Sequence, residues 1–85
     1  MYKITFVDKR VERKVRKYIE IRRDIPAKLD RLIVNPRKEC GAHPLHGKLR
    51  GRWACWLGSN IRLIYIIDDK NEMIIAVGIG THNLY

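Results

Sequence analysis

The C-terminal third of the chain carries three apolar runs separated by short polar breaks. The runs are residues 53–57, 61–67 and 73–79, and together they are rich in Ile, Val and aromatic side chains. The breaks, Gly58-Ser59-Asn60 and Asp68-Asp69-Lys70-Asn71, contain the residue types that tight hairpins prefer. This pattern predicts three consecutive antiparallel strands.

The N-terminal half has a different periodicity. Tyr2 to Val7 alternates apolar and polar side chains, which predicts a short half-buried strand. Asp8 can cap a helix that begins at Lys9, and apolar residues then recur at helical spacing. A second helix is expected to begin at Asp24 and to stop at Asn35-Pro36, since proline disfavours helix at the residue before it.

These elements predict one α+β domain over residues 1–85. The expected order is β-α-α-β-β-β, with an antiparallel sheet made mainly of the C-terminal three-stranded meander plus the N-terminal strand, and an αα-hairpin on one face. The runs 61–67 and 73–79 are apolar on both faces, so we expect a partner to cover the face without helices.

No apolar run reaches the roughly 20 residues of a membrane span, and Lys3 and Asp8 interrupt any signal-peptide pattern. A soluble, cytoplasmic protein is expected.

The formal net charge of +9 is unevenly distributed. Of the 18 Lys and Arg residues, all but Lys3, Arg62 and Lys70 lie between Lys9 and Arg52. This asymmetry favours a polyanionic partner, with nucleic acid ahead of a membrane surface; a solubilising charge and an acidic protein partner are the alternatives. The candidate RNA-binding residues are Arg10, Arg13, Lys14, Lys17, Lys48, Arg50, Arg52 and Trp56. Trp56 fits either base stacking or the sheet core.

The two cysteines do not indicate a disulfide framework. The one metal-like spacing is Cys40-x-x-His43-x-x-His46, to which Cys55 could add a fourth ligand. Pro44 interrupts this run and a second paired ligand set is absent from the sequence, so we predict no metal and no cofactor.

Four residues suggest chemistry: His43, Arg62, His82 and Tyr85. In an antiparallel meander the last strand ends beside the beginning of the middle strand, which brings His82 and Tyr85 towards Arg62. His43 joins them if its loop folds back across that end. Such a set supports metal-free RNA cleavage by a 2′-hydroxyl, with histidines as base and acid and Arg62 on the phosphate. Taken singly, the histidine and tyrosine also fit an exposed, frayed terminus. Arg62 also fits an ion pair with Asp68, Asp69 or another carboxylate.

Several motifs resemble the RelE/ParE superfamily of toxins from type II toxin–antitoxin modules, closest to the YoeB and YafQ branches. The motifs are His43-Pro44-Leu45-x-Gly47, Gly51-x-Trp53, Arg62-Leu63-Ile64-Tyr65-x-Ile67-Asp68 and Gly80-Thr81-His82-x-Leu84-Tyr85. The likeness is most specific over residues 43–85, and the strand–helix–helix prelude agrees with it.

The resemblance implies a cytoplasmic endoribonuclease that cuts mRNA in the A site of a 70S-type ribosome and so inhibits translation. It also implies a RelB-like antitoxin that wraps and inactivates the toxin, in a heterotetramer of two toxins and two antitoxins. By position, His43 matches the general base, Arg62 the phosphate-stabilising arginine, His82 the general acid and Tyr85 the C-terminal aromatic. The residue pattern by itself leaves open which histidine is base and which is acid.

The chain also departs from its relatives. At the two positions where RelE has a pair of lysines, this chain has Trp53 and Cys55. At the positions of a later His and a later Asp in YafQ-like proteins, it has Trp56 and Asn60. The main alternative is a ParE-like toxin that inhibits DNA gyrase without cutting RNA, although such members usually lack paired catalytic histidines. An RNA-binding or structural protein without catalysis is the third reading.

Overall fold

A computed structural model of the protein describes residues 1–58 and 60–81. The predicted α+β class is confirmed. The helices are α1 (Lys9–Ile21) and α2 (Asp24–Leu32), and the strands are β1 (Lys3–Phe6), β2 (His43–Pro44), β3 (Trp53–Trp56), β4 (Arg62–Asp68) and β5 (Met73–Gly80). Two short 3-10 helices, Glu39–Gly41 and Gly47–Leu49, lie on either side of β2.

Both helices begin where the sequence places them. Asp8 is extended, with φ −157°, and its carboxylate accepts a hydrogen bond of 2.8 Å from the backbone N–H of Val11. This bond satisfies one of the donors that the first helical turn leaves without a partner. In the part of the chain that the structure describes, neither helix is long and apolar enough to cross a membrane.

The sheet has the order β1-β5-β4-β3-β2. The meander β3-β4-β5 is antiparallel, as predicted, but β1 pairs with β5 in parallel. The prediction of a wholly antiparallel sheet was therefore wrong. The helices and the following loop return the chain to the end of the sheet where β1 began, so β3 and β5 run in the direction of β1. Parallel pairing needs such a long crossover connection.

The main core lies between the helices and one face of the sheet, which we call the helix face. Its buried members are Val15, Ile25, Leu32, Cys55, Leu57, Ile61, Leu63, Tyr65, Ile74, Ala76 and Ile79. The side chain of Tyr65 is fully buried, and its hydroxyl donates a hydrogen bond of 2.6 Å to the backbone carbonyl of Pro36. The segment after α2 is thus fastened to the middle of the sheet.

The opposite face, which we call the open face, is partly covered by the chain itself. Leu45 packs with Ala54 and Ile64 in a second, smaller buried cluster, and Leu49 lies against it. The loop between β2 and β3 therefore supplies cover that the sequence analysis expected from a partner. Further along the same face, Ile66 is only half-buried.

Replacing Tyr65 with phenylalanine should destabilise the protein. The change keeps the buried ring but removes the donor to Pro36 O, so a buried carbonyl loses its partner. Such a loss costs about 1–3 kcal/mol. Urea unfolding measures the effect; an unchanged unfolding midpoint would show that this hydrogen bond contributes nothing to stability.

Candidate functional site

The register of the sheet places three of the candidate residues on the open face. Trp56 of β3 pairs directly with Arg62 of β4, and His43 of β2 pairs with Ala54. Ala54 in turn pairs with Ile64, two residues from Arg62 on the same face. Because side chains alternate along a strand, His43, Trp56 and Arg62 project from one side of the sheet.

Arg62 is held against an aromatic ring. Its Cζ lies 4.2 Å from the centroid of the Trp56 ring, which is within the range of a cation–π interaction. Stacking uses the face of the guanidinium, whereas hydrogen bonds to phosphate oxygens are made in its plane. The stack with Trp56 therefore fixes the orientation of Arg62 in a manner compatible with binding phosphate.

His43 is exposed, and its ring orientation is set by the backbone. Nδ1 lies 3.0 Å from the carbonyl oxygen of Gly41. A carbonyl oxygen only accepts hydrogen bonds, so Nδ1 carries the proton of the neutral ring and Nε2 keeps its lone pair. This tautomer is the one that a general base needs if it takes a proton at Nε2.

The turn before β2 contains two consecutive residues with left-handed backbone conformation. Cys40 has φ 58° and Gly41 has φ 65°. The left-handed region is unfavourable for a residue with a side chain. The thiol of Cys40 donates to the carbonyl of Lys28, at 3.3 Å, and the residue packs against the main core. Gly41 was not predicted as a site residue, because the sequence alone does not show why a loop position is occupied by glycine.

The predicted RNA-binding residues are divided between two sides of the domain. Lys48 and Arg50 are exposed on the loop whose Leu45 and Leu49 pack on the open face. The remaining loop residue, Arg52, is half-buried. The others lie on α1, which packs on the helix face, and all are exposed: Arg10, Arg13, Lys14 and Lys17.

The C-terminal candidates, His82 and Tyr85, lie outside the described residues. The backbone leading to them does follow the predicted path, because Gly80 at the end of β5 pairs with Arg62. Their approach to Arg62 stays a prediction from connectivity.

The Cys and His residues with metal-like spacing are Cys40, His43, His46 and Cys55. Within residues 1–58 and 60–81, no group of three or more His, Cys, Asp or Glu side chains is placed to hold a metal ion. Cys55 is fully buried, and this burial raises the pKa of its thiol to about 12. A thiol that stays protonated at neutral pH is a poor metal ligand and a poor nucleophile.

Away from the candidate site, Tyr2 and Arg37 both donate hydrogen bonds to the carboxylate of Asp69 and form a polar cluster that was not predicted from the sequence. Arg37 donates to its two oxygens at 2.9 and 2.7 Å, and the Tyr2 hydroxyl donates at 2.5 Å. The carboxylate of Asp68 accepts from the side chain of Asn71 at 2.9 Å. These two carboxylates, which the sequence offered as ion-pair partners for the site arginine, are thus engaged within other segments.

The Asp69 cluster should make stability depend on pH in the acid range. Hydrogen bonds from Arg37, and then from Tyr2, lower the pKa of Asp69 to about 2 from an ordinary 3.8. The unfolded chain therefore binds more protons between these values, so the stabilisation is complete above about pH 4 and is lost as the pH falls towards 2. Melting temperatures of the protein and of Asp69→Asn should converge over this range. A constant difference from pH 5 to pH 2 would contradict the assignment.

Comparisons with known proteins agree with this fold. No family model and no curated protein matches the chain. Among solved structures, the YoeB–YefM toxin–antitoxin heterotetramer of Staphylococcus aureus contains a chain with TM-score 0.75 and 18% identity, over 96% of this chain and 98% of that one. The YoeB/ParE toxin of Agrobacterium tumefaciens has TM-score 0.72 and 16% identity, over 94% and 98%. YafQ of E. coli has TM-score 0.68 and 17% identity, over 98% and 96%.

At these identities the likeness establishes the fold. These structural neighbours are toxins of the YoeB, ParE and YafQ types, and the chain has the fold that they share.

Proposed function

We propose that this protein is the toxin of a type II toxin–antitoxin pair and that it cuts mRNA in the ribosomal A site. One observation carries the proposal: the open face presents both Arg62, stacked on Trp56, and a His43 whose Nδ1 donates to the backbone. A fixed cation and a base with a free lone pair are what cleavage by a 2′-hydroxyl requires.

In the proposed reaction, Nε2 of His43 takes the proton of a ribose 2′-hydroxyl. The 2′-oxygen then attacks the adjacent phosphorus, and the bond from phosphorus to the 5′-oxygen breaks. Arg62 stabilises the negative charge that builds on the phosphate oxygens. His82 gives a proton to the departing 5′-oxygen, and Tyr85 completes the site, as the resemblance implies. The products are a 2′,3′-cyclic phosphate and a 5′-hydroxyl.

The spacing of the two described groups suits this chemistry. His43 and Arg62 stand two strands and two residues apart, which places their Cα atoms roughly 12 Å from each other. The long side chain of Arg62 and the imidazole can approach a single phosphodiester from opposite sides over this distance. The chain after β5 begins beside Arg62, where an acid is needed.

The charge distribution supports RNA contacts on two sides. Lys48 and Arg50 flank the open face and would hold the scissile strand through its phosphates. The basic side chains of α1 face away from this site. We therefore propose that they contact the ribosomal RNA that would surround the toxin in the A site. Phosphate contacts of this kind weaken steeply as salt rises.

The partner and the compartment follow from the same proposal. A structural neighbour is a YoeB–YefM toxin–antitoxin heterotetramer, and we propose a RelB-like antitoxin and a corresponding two-plus-two complex for this chain. The half-buried apolar residues of the open face, such as Ile66, offer surface for it. The toxin would act in the cytoplasm, where translating ribosomes are.

Primer extension on mRNA incubated with the purified protein tests the proposal. Discrete cuts that require ribosomes and persist with a chelator present are expected. Cleavage without ribosomes would retain the nuclease and remove the A-site requirement. If no cuts form under either condition, the nuclease proposal fails, and inhibition of gyrase supercoiling becomes the next activity to measure.

A further inference from the structure

We propose that Gly41 and Trp56 are positioning residues that orient His43 and Arg62 together. Three contacts join these four residues in a continuous chain: His43 to Gly41, Gly41 to Trp56, and Trp56 to Arg62. The catalytic consequence rests on the proposed function, whereas the orienting contacts do not.

The first contact fixes the tautomer of the base. The carbonyl of Gly41 accepts from Nδ1 of His43 at 3.0 Å, which leaves the lone pair on Nε2. His43 is exposed on a two-residue strand, so few packing contacts restrain its ring. The direction of the Gly41 carbonyl therefore decides which nitrogen of His43 faces the substrate.

The second contact explains why residue 41 is glycine. A Cβ built on Gly41 would lie 3.1 Å from Cδ1 of the Trp56 ring, closer than about nine in ten Cβ contacts in proteins, so the indole would have to shift by a few tenths of an ångström. The φ of 65° is also one that glycine adopts without steric cost. Because residue 41 has no side chain, the backbone turn can pack directly against the indole of Trp56 while it holds the carbonyl of Gly41 towards His43.

In the third contact, the position of the Trp56 indole determines where the guanidinium of Arg62 lies. The guanidinium of Arg62 lies over the Trp56 ring, so a displacement of the ring moves the surface on which Arg62 rests. The indole side that meets Arg62 is occupied by this stack. We therefore assign Trp56 to holding Arg62, a role that neither the base stacking nor the core packing offered by the sequence includes.

A side chain at position 41 should disturb both catalytic groups at once. It would turn the carbonyl away from Nδ1 and push the indole from its place under Arg62. Small displacements of reacting groups lower rates by about 10- to 100-fold. A simultaneous effect on His43 and Arg62 would distinguish Gly41 from a glycine whose only role is to relieve backbone strain.

Gly41→Ala tests the proposal, with Gly47→Ala as its matched control. Gly47 has nearly the same backbone conformation, with φ 68°, but a Cβ there would meet nothing within 4 Å. Both variants therefore bear similar strain, and only one touches Trp56. The first readout is the ¹⁵N chemical shifts of the His43 ring at about pH 8.5, above the ordinary histidine pKa near 6.5. These shifts report the tautomer without any RNA.

We expect Nδ1-protonated His43 in the protein and in Gly47→Ala, and a mixture of tautomers in Gly41→Ala. The cleavage rate of Gly41→Ala should be about 10- to 100-fold below that of Gly47→Ala. Trp56→Phe should retain more activity than Trp56→Leu, because phenylalanine still offers a ring face to Arg62. If Gly41→Ala matches Gly47→Ala in tautomer and in rate, the proposal is overturned. If the protein cuts no RNA at all, the proposed function fails, and the tautomer result alone decides whether Gly41 orients His43.

Discussion

Replacing Arg62 with alanine is expected to lower the rate of RNA cleavage by about 10²- to 10³-fold, the cost of removing a group aimed at developing charge. Arg62 is held at 4.2 Å from the Trp56 ring, so its charge is already in place before the substrate binds. A cation that needs no reorganisation is ready to stabilise the second negative charge that builds on the phosphate in the transition state. Single-turnover cleavage of ribosome-bound mRNA measures the rate.

Two controls separate charge from structure. Arg62→Lys keeps a positive charge but loses the planar fork that binds two phosphate oxygens, so its rate should fall between those of the protein and of Arg62→Ala. Arg37→Ala removes a second guanidinium that lies over a tryptophan, at 5.8 Å from the Trp53 ring centroid. Because Arg37 binds Asp69 away from the open face, this variant should lose stability and keep its cleavage rate. Equal cleavage by Arg62→Ala and the unaltered protein would refute the role of Arg62.

Replacing His43 with alanine should lower the cleavage rate by about 10²- to 10⁴-fold, the usual contribution of a general base. The reason is the hydrogen bond from Nδ1 to Gly41 O, which presents the lone pair of Nε2 to solvent. His43 is exposed, so the fold and its melting temperature should hardly change.

His46→Ala is the matched control for His43→Ala. His46 is also exposed and lies three residues further along the same loop, but it is not aligned with Arg62 through the register of the sheet. Its removal should alter cleavage by less than about threefold, since surface changes away from a site have small effects. A similar loss in both variants would show that the loop contributes charge or shape and that His43 is not the base.

Much of the fold follows from local signals. The N-cap at Asp8 and the start of α2 at Asp24 were predicted correctly, because capping and chain reversal depend on a few adjacent residues. The meander was also predicted, since apolar runs and turn residues alternate over short distances. The parallel pairing of β1 was not predicted, because it depends on where a long crossover returns the chain. The strand β2 was not predicted either, because two residues are too few to show a periodicity.

The candidate site divides in the same way. Connectivity correctly placed the end of β5 beside Arg62, since antiparallel neighbours must end there. The contact of Gly41 with Trp56 joins a loop turn to a strand and has no sequence periodicity that could reveal it. The cluster of Arg37, Asp69 and Tyr2 likewise joins three distant segments. Side-chain contacts across the fold are therefore what the structure adds to the sequence.

Cleavage of an mRNA in which one nucleotide of the A-site codon lacks its 2′-hydroxyl decides whether the proposed attack by the 2′-oxygen takes place. The mRNA is bound to ribosomes, and cuts are mapped by primer extension beside an all-ribose control. We predict that the cut after the deoxy nucleotide disappears and that the control fragment ends in a 2′,3′-cyclic phosphate. An undiminished cut at the deoxy position would show that the attacking oxygen comes from elsewhere, and the role proposed for His43 as the base that activates the 2′-hydroxyl would then be wrong.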